Sequence, residues 1–206
     1  NDYASTILGS GCLLVATPDV KDPHFARAVI LLIAYSLEDG AMGLILNKPL
    51  TVDQMDTQSP IASWMESSQS PSTIFLGGPV EPNGYICMTP DSTSLSGLRS
   101  VDIESISPVH LDGPHRVFRG YSGWGAGQLE DELTFRSWYV VESQSTDKLT
   151  TSPESLWNDV LNVNQALCEG SDYFLQTLKS IKREEWRRLY LQQQHMTSEV
   201  QLIEIL

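Results

Sequence analysis

Long apolar runs are missing from this 206-residue chain. The longest, Ala28 to Tyr35, is far too short to cross a bilayer as a helix. Positive charge is scarce too. Lys and Arg total 13 against 26 Asp and Glu, a formal net charge of −13, whereas a protein that neutralises nucleic-acid phosphates needs clustered basic charge. Cysteine is sparse: Cys12, Cys87 and Cys168 lie far apart with no C-x-x-C pair, which argues against a disulfide framework and suits reduced thiols. The first residues show no basic stretch leading into an apolar one with a cleavage site, so the expected location is the cytoplasm. Gly-Lys-Ser/Thr occurs nowhere, which removes a P-loop, and Gly77-Gly78-Pro79 lacks the spacing of a dinucleotide-binding turn.

What is present is an ordinary globular composition, 41% hydrophobic and 19% charged, in a length that suits one domain or one domain with an appendage. CLLVA (12–16) reads as a buried strand ended by Pro18, and TPDVKDPHF as a loop. AVILLIAYS (28–36) and MGLILN (42–47) flank a Glu-Asp-Gly turn and predict a hairpin. VDQMD and IASWM predict short helices. IFL (74–76) and YICM (85–88) predict a second pair of strands, turned at Asn83-Gly84. RVFRGY predicts a strand ending at a glycine break, QLEDELTF a short helix, and SWYVVE a strand. SPESLWNDVLNV predicts a helix capped by Ser152 or Ser155, and 171–194 a longer one. Strands that come in hairpins, with helices inserted between them, predict an α+β fold with a mainly antiparallel or mixed sheet.

Candidate chemistry is thin. GYSGWGAGQLEDEL (120–133) comes close to a nucleophile elbow, but Trp124 stands where the last glycine belongs, and the only later histidine is His195. As a phosphate loop it leads into Glu130, Asp131 and Glu132, which suit a helix N-terminus themselves and repel a phosphate. The stretch is therefore read as a structural corner built from Gly120, Gly123, Trp124 and Gly127, with Trp138 beyond it. Ser122 is expected to be immaterial to stability. His110, Asp112 and His115 share a loop without metal-ligand spacing. No catalytic residue, metal or cofactor is expected. Cys12 and Cys87 sit in apolar runs and are expected to be buried and unreactive.

GCLLVATPDVKDPHFARAVILL, GAMGLILNKPL, IFLGGPV and GYSGWGAGQLEDEL followed by SWYVV, in this order, resemble the AlgH-like family of bacterial proteins over about residues 9 to 165. The matching positions are Asp22, Phe25 and Arg27; Gly43, Asn47 and Pro49; Gly77, Gly78, Pro79 and Val80; then Gly120, Gly123, Trp124, Gly127, Gln128, Leu129, Glu132 and Trp138. Many relatives carry Leu-His where this chain reads Ile86-Cys87-Met88. The resemblance implies a single domain with a bifurcated, barrel-like sheet and short helices. It implies no established enzyme activity, and it brings a family label of transcriptional regulator. The expected organisation is such a domain over 1–168, with a C-terminal helical extension over 169–206 packed on it. Asp22, Arg27, Asn47, Gln128 and Glu132 flank strand ends and a helix start, where caps, Asx turns and an Asp22–Arg27 pair would tie loops together. With Gly77 and Gly78 they are also the candidate ligand-binding set.

The densest positive charge lies in LKSIKREEWRRL (178–189). There Lys179, Lys182, Arg183 and Arg187 share one side of a helix, and Phe174, Leu178, Ile181 and Leu189 another. An amphipathic helix docked on the domain fits this pattern better than a DNA-recognition helix, which would need a helix-turn before it. The expected function is a non-catalytic binding or accessory protein with a regulatory role. It would take an unidentified protein or small molecule as partner and act as a monomer or homodimer. The other two classes are a direct DNA-binding regulator and a metabolite-sensing or enzymatic protein with a pocket near Arg27 and Asn47.

Overall fold

A computed structural model of the chain describes residues 8–50, 61, 62, 64, 74–107, 110, 111 and 113–164. Its framework is eight strands: β1 (Cys12–Ala16), β2 (Val29–Ser36), β3 (Gly40–Ile45), β4 (Ile74–Leu76), β5 (Val80–Pro90), β6 (Leu98–Val101), β7 (Arg116–Trp124) and β8 (Trp138–Glu142). Among the described residues the helices with defined ends are α1 (Gln128–Thr134), α2 (Ser145–Lys148) and α3 (Pro153–Val163). The strands run β6-β5-β7-β3-β2-β1-β8 in one curled, mainly antiparallel sheet, and β4 joins β7 in parallel. The protein is thus α+β with a half-barrel sheet and a few short helices.

The sheet is bifurcated at β7. The C-terminal end of that strand pairs with β3 (Ala41 opposite Trp124, Gly43 opposite Ser122), and its N-terminal half pairs with β4 (Ile74 with Val117, Leu76 with Arg119). Its other edge carries β5. Gly77 sits in the fork: its N–H donates to the Arg119 carbonyl, and its own carbonyl accepts from Ile45 N–H. Backbone there packs directly on backbone. A Cβ on Gly77 would lie 2.3 Å from the Gly120 carbonyl oxygen, one on Gly78 2.2 Å from the Tyr121 carbonyl carbon, and one on Gly120 2.4 Å from the Gly78 carbonyl oxygen. No side chain fits at such distances, so glycine is required on both sides of the crossing.

Both faces of the sheet are covered, which is why β1 reads as a continuous apolar run and not as an alternation. Leu14, Ala16, Ile30, Leu32 and Val140 face a core closed by Leu129 and Leu133 of α1 with Trp124 and Trp138. Leu13, Val15, Leu31, Leu44, Phe118 and Val141 face a second core closed by Leu156 and Val160 of α3. A third cluster (Ile74, Cys87, Val117, Trp64) lies beside β4 and β5, where Trp64 Nε1 donates to the Ile106 carbonyl at 2.9 Å.

Three expectations about local structure are corrected. IFL and YICM do not pair with each other, because β7 lies between β4 and β5. Asn83-Gly84 falls inside β5 at an irregularity between Val80 and Tyr85, where Glu81 has φ 49°. The glycine after RVFRGY does not end the strand: β7 runs through Gly120 and Gly123 to Trp124. Ser152 is the N-cap of α3 but makes no side-chain capping bond. Of VDQMD and IASWM, only Ile61, Ala62 and Trp64 are described, all helical. The helices expected over 171–194 and 178–189 lie outside the described residues.

Candidate functional site

The loop after β1 and the helix α1 carry most of the polar residues singled out above. Chain leaving β1 at Thr17 loops through Asp22 and Phe25, and it re-enters the sheet at Val29. Asn47 lies just beyond β3 and holds the end of this loop. Its Nδ2 donates to the Arg27 carbonyl and its Oδ1 accepts from Val29 N–H, both at 2.9 Å. One carboxamide thus supplies the acceptor and donor that a neighbouring strand would have supplied. The adjacent Lys48 Nζ donates to the Pro23 carbonyl at 3.1 Å, and half-burial pulls the Lys48 pKa down against the opposing pull of Asp22.

Arg27 is exposed and left-handed, φ 57°. The expected Asp22–Arg27 pair does not form. The Asp22 carboxylate accepts from His24 N–H at 2.8 Å and lies 3.4 Å from His24 Nδ1, making an Asx turn at the loop tip. The Arg27 guanidinium instead stacks 4.8 Å from the centre of the Trp157 ring, a cation–π contact. Trp157 is fixed in turn, since its Nε1 donates to the Ala16 carbonyl at 2.9 Å.

The glycine-rich stretch leaves β7 at the opposite end of β3, beside the β2–β3 turn where Trp124 pairs with Ala41, and α1 leads back from there toward Trp138. Gly127 is the N-cap of α1 with φ 78°, and nothing lies within 4 Å of where its Cβ would be. Gln128 Oε1 accepts from Gly125 N–H at 3.1 Å and so ties the turn. Glu130 and Asp131 lie in the first turn of α1, where the helix dipole favours them, and Glu130 also accepts from the Tyr35 hydroxyl at 2.6 Å. Glu132 does something that sequence reasoning missed. Its Oε2 accepts from two indoles, Trp124 Nε1 at 2.9 Å and Trp138 Nε1 at 2.7 Å, while its Oε1 accepts from Gln128 Nε2 at 3.0 Å. The two rings meet edge to face at 6.1 Å, and Phe25 packs against Trp138 at 5.7 Å. The signal was the spacing: Glu132 and Gln128 are four apart on a helix, and both tryptophans leave strand ends next to it.

Asp22, Arg27 and Asn47 therefore come together through the loop, and Gln128 and Glu132 through the corner, with Phe25 against Trp138 as the join. Gly77 and Gly78 stand apart, in the fork of the sheet. Gly120 is there with them, Gly123 is exposed in β7 opposite Met42, and Trp124 is buried. Ser122 is fully buried, and its Oγ donates to the Gly77 carbonyl at 3.0 Å. Cys87 is buried and its pKa is pushed up to about 11 by desolvation. Cys12 is only half-buried, its pKa raised chiefly for the same reason. Arg116 was not anticipated. It stacks 4.0 Å over Phe75 and donates from Nη2 to the Thr150 carbonyl at 2.6 Å, and burial lowers its pKa to about 10. Asp112 lies outside the described residues, and the His115 ring packs on Trp64 at 5.4 Å.

The AlgH-like family model covers residues 13–166. The chain belongs to the AlgH-like family. A UPF0301 protein of Streptomyces avermitilis is 40% identical over 167 residues, 74% of this chain and 84% of its own length. A second UPF0301 protein, from Streptomyces coelicolor, is 40% identical over 169 residues with the same coverage. Among solved structures, protein DIP2367 of Corynebacterium diphtheriae aligns with a TM-score of 0.62 at 25% identity, over 82% of this chain and 91% of that one. The AlgH protein of Pseudomonas aeruginosa aligns with a TM-score of 0.58 at 23% identity, over 79% of this chain and 94% of that one, a likeness of fold. Among the described residues of the AlgH-like chain, no helix is long and apolar enough to cross a membrane.

Proposed function

We propose that this AlgH-like chain is a non-catalytic binding protein with a regulatory role, and that the loop over 17–28, backed by the Trp124–Trp138 corner, is its recognition surface. One observation carries the reading: the polar side chains of the loop and the corner hold backbone and rings in place. Asn47 bonds two main-chain groups, Glu132 bonds two indoles, and Gln128 bonds the turn before α1. Catalysis by a serine or cysteine requires a nucleophile within reach of a base. Ser122 is instead buried against the Gly77 carbonyl, and the Cys87 thiol is held protonated by burial. What the scaffold presents to solvent is a pinned loop bearing Lys21, Asp22, His24 and Arg27. Such pinning lowers the ordering cost of binding.

The test is native mass spectrometry of the protein purified from its own host, run beside Asn47→Ala. A stoichiometric molecule retained by the wild type and lost from the variant supports the proposal. A retained molecule that the protein converts to a different chemical species refutes the non-catalytic reading. Equal retention by both proteins refutes the assignment to this loop.

A further inference from the structure

Arg27 is the residue of the loop that its backbone explains least. Its φ of 57° costs any residue with a Cβ about 1 kcal/mol or more, and glycine would adopt it freely. The carboxamide of Asn47 is committed to holding this strained turn, with a bond on each side of Ala28. Glycine would fit this backbone without strain, so what distinguishes arginine here is its side chain. Among the described residues no carboxylate pairs with it, the one ion pair in this loop being His24 with Asp22. Trp157 lies against the flat face of the guanidinium, and among the described residues no hydrogen bond uses the in-plane N–H groups, the edge with which arginine grips oxyanions two-pronged.

A second cation reaches the same loop from beyond β3. Lys48 is half-buried, follows Asn47 directly and reaches the Pro23 carbonyl, leaving donors on its ammonium group unused. The Asp22 carboxylate takes its hydrogen bond from His24 N–H and acts on Lys48 only through space, so neither cation has a carboxylate in direct contact among the described residues. The loop over 17–28 carries Asp19 and Asp22 against Lys21 and Arg27, and Lys48 beside it tips the local balance to positive in a chain with net charge −13.

We infer that Arg27 and Lys48 form an anion-recognition site for a small ligand bearing a phosphate or carboxylate group. The Arg27 edge would take two of its oxygens, and the Lys48 ammonium would supply the second charge. The inference rests on the loop being a recognition surface and adds the chemical class of what binds. Stacking on Trp157 keeps the guanidinium plane oriented, so the edge is presented in a defined direction.

Isothermal titration of the full-length protein with inorganic phosphate, and separately with malonate, tests it at low ionic strength against a sodium chloride control. The expected result is saturable binding of at least one of the two, weakened tenfold or more by Arg27→Asn and likewise by Lys48→Met. Asparagine tolerates the left-handed conformation, so the first variant keeps the turn, and the second leaves it untouched. The preferred probe separates a phosphate ligand from a carboxylate one. No saturable binding of either probe overturns the inference, as does binding that both variants retain or that sodium chloride reproduces. A merely structural Arg27 would lower the melting temperature of Arg27→Asn with no anion dependence. A null titration, with a co-purifying molecule still lost from Asn47→Ala, sinks the anion class alone and leaves the recognition surface standing.

Discussion

Removing the Glu132 carboxylate should do more damage than its half-exposed position suggests. One oxygen, Oε2, accepts from both Trp124 and Trp138, whose side chains are 6% and 2% exposed. In Glu132→Ala both indole N–H groups lose their acceptor in a place that water reaches poorly. A hydrogen bond to a charged group contributes about 1.5–3 kcal/mol, and one shared oxygen makes the two less than additive, so the expected loss is about 3 kcal/mol. Glu132→Gln is the discriminating partner. Its single carbonyl oxygen can take the place of Oε2 and keep both indoles. Its NH2 then faces the Gln128 NH2, and a turned Gln128 amide gives up Gly125 N–H. The charge and one exposed bond are thus lost, at a cost of about 1–2 kcal/mol. Urea denaturation followed by far-ultraviolet circular dichroism measures both without relying on the tryptophans it perturbs. Repeating Glu132→Ala in a Trp124→Phe background should reduce its cost, since one of the two donors is then gone. If Glu132→Ala unfolds within about 0.5 kcal/mol of wild type, or Glu132→Gln costs as much as alanine, the carboxylate does not bind the corner together as described.

The same substitution at two glycines separates clash from strain. Gly120→Ala, with its Cβ 2.4 Å from the Gly78 carbonyl oxygen, should cost about 3 kcal/mol or prevent folding, whereas Gly127→Ala, in open space at φ 78°, should cost about 1–2 kcal/mol in thermal melts. Equal losses would refute the backbone crossing. Asn47→Ala removes two bonds to main chain and should destabilise by about 1–3 kcal/mol, with limited proteolysis moving first to the loop over 17–28; cleavage elsewhere would count against the staple. Ser122→Ala should cost no more than about 1 kcal/mol although the residue is fully buried, because the Gly77 carbonyl keeps the Ile45 N–H; a loss above 2 kcal/mol would contradict this. At pH 8 a thiol with a pKa near 11 is ionised to about one part in a thousand, so maleimide should label Cys12 well before Cys87, and peptide mapping that found the reverse order would exclude the burial described.

Element types along the chain were largely legible. Apolar periodicity located β1, β2, β3 and β8, and the acidic run after the glycines located α1, because these signals are local and depend on nothing far away. The errors fall where distant chain decided the outcome. Asn83-Gly84 carries the chemistry of a tight turn, yet β7 inserts beside β5 and draws both sides of that dipeptide into one strand. Gly120 reads as a strand breaker, yet it lies within β7 because another backbone must cross within reach of its missing Cβ.

The candidate site divides the same way. That Asp22, Arg27, Asn47, Gln128 and Glu132 flank element ends follows from order along the chain, and so does the suitability of Glu130 and Asp131 for a helix start. Which group each one meets does not follow. Asp22 and Arg27 are opposite charges five residues apart, and sequence alone would pair them. Only the packed fold puts the Trp157 ring, 130 residues on, under the Arg27 guanidinium and His24 beside the Asp22 carboxylate. Likewise the composition settles that the chain is acidic, but not that one carboxylate is bound between two indoles. Periodicity reports which face of an element is apolar; the partner of a single polar atom depends on tertiary distances of a few ångströms, which no local pattern records.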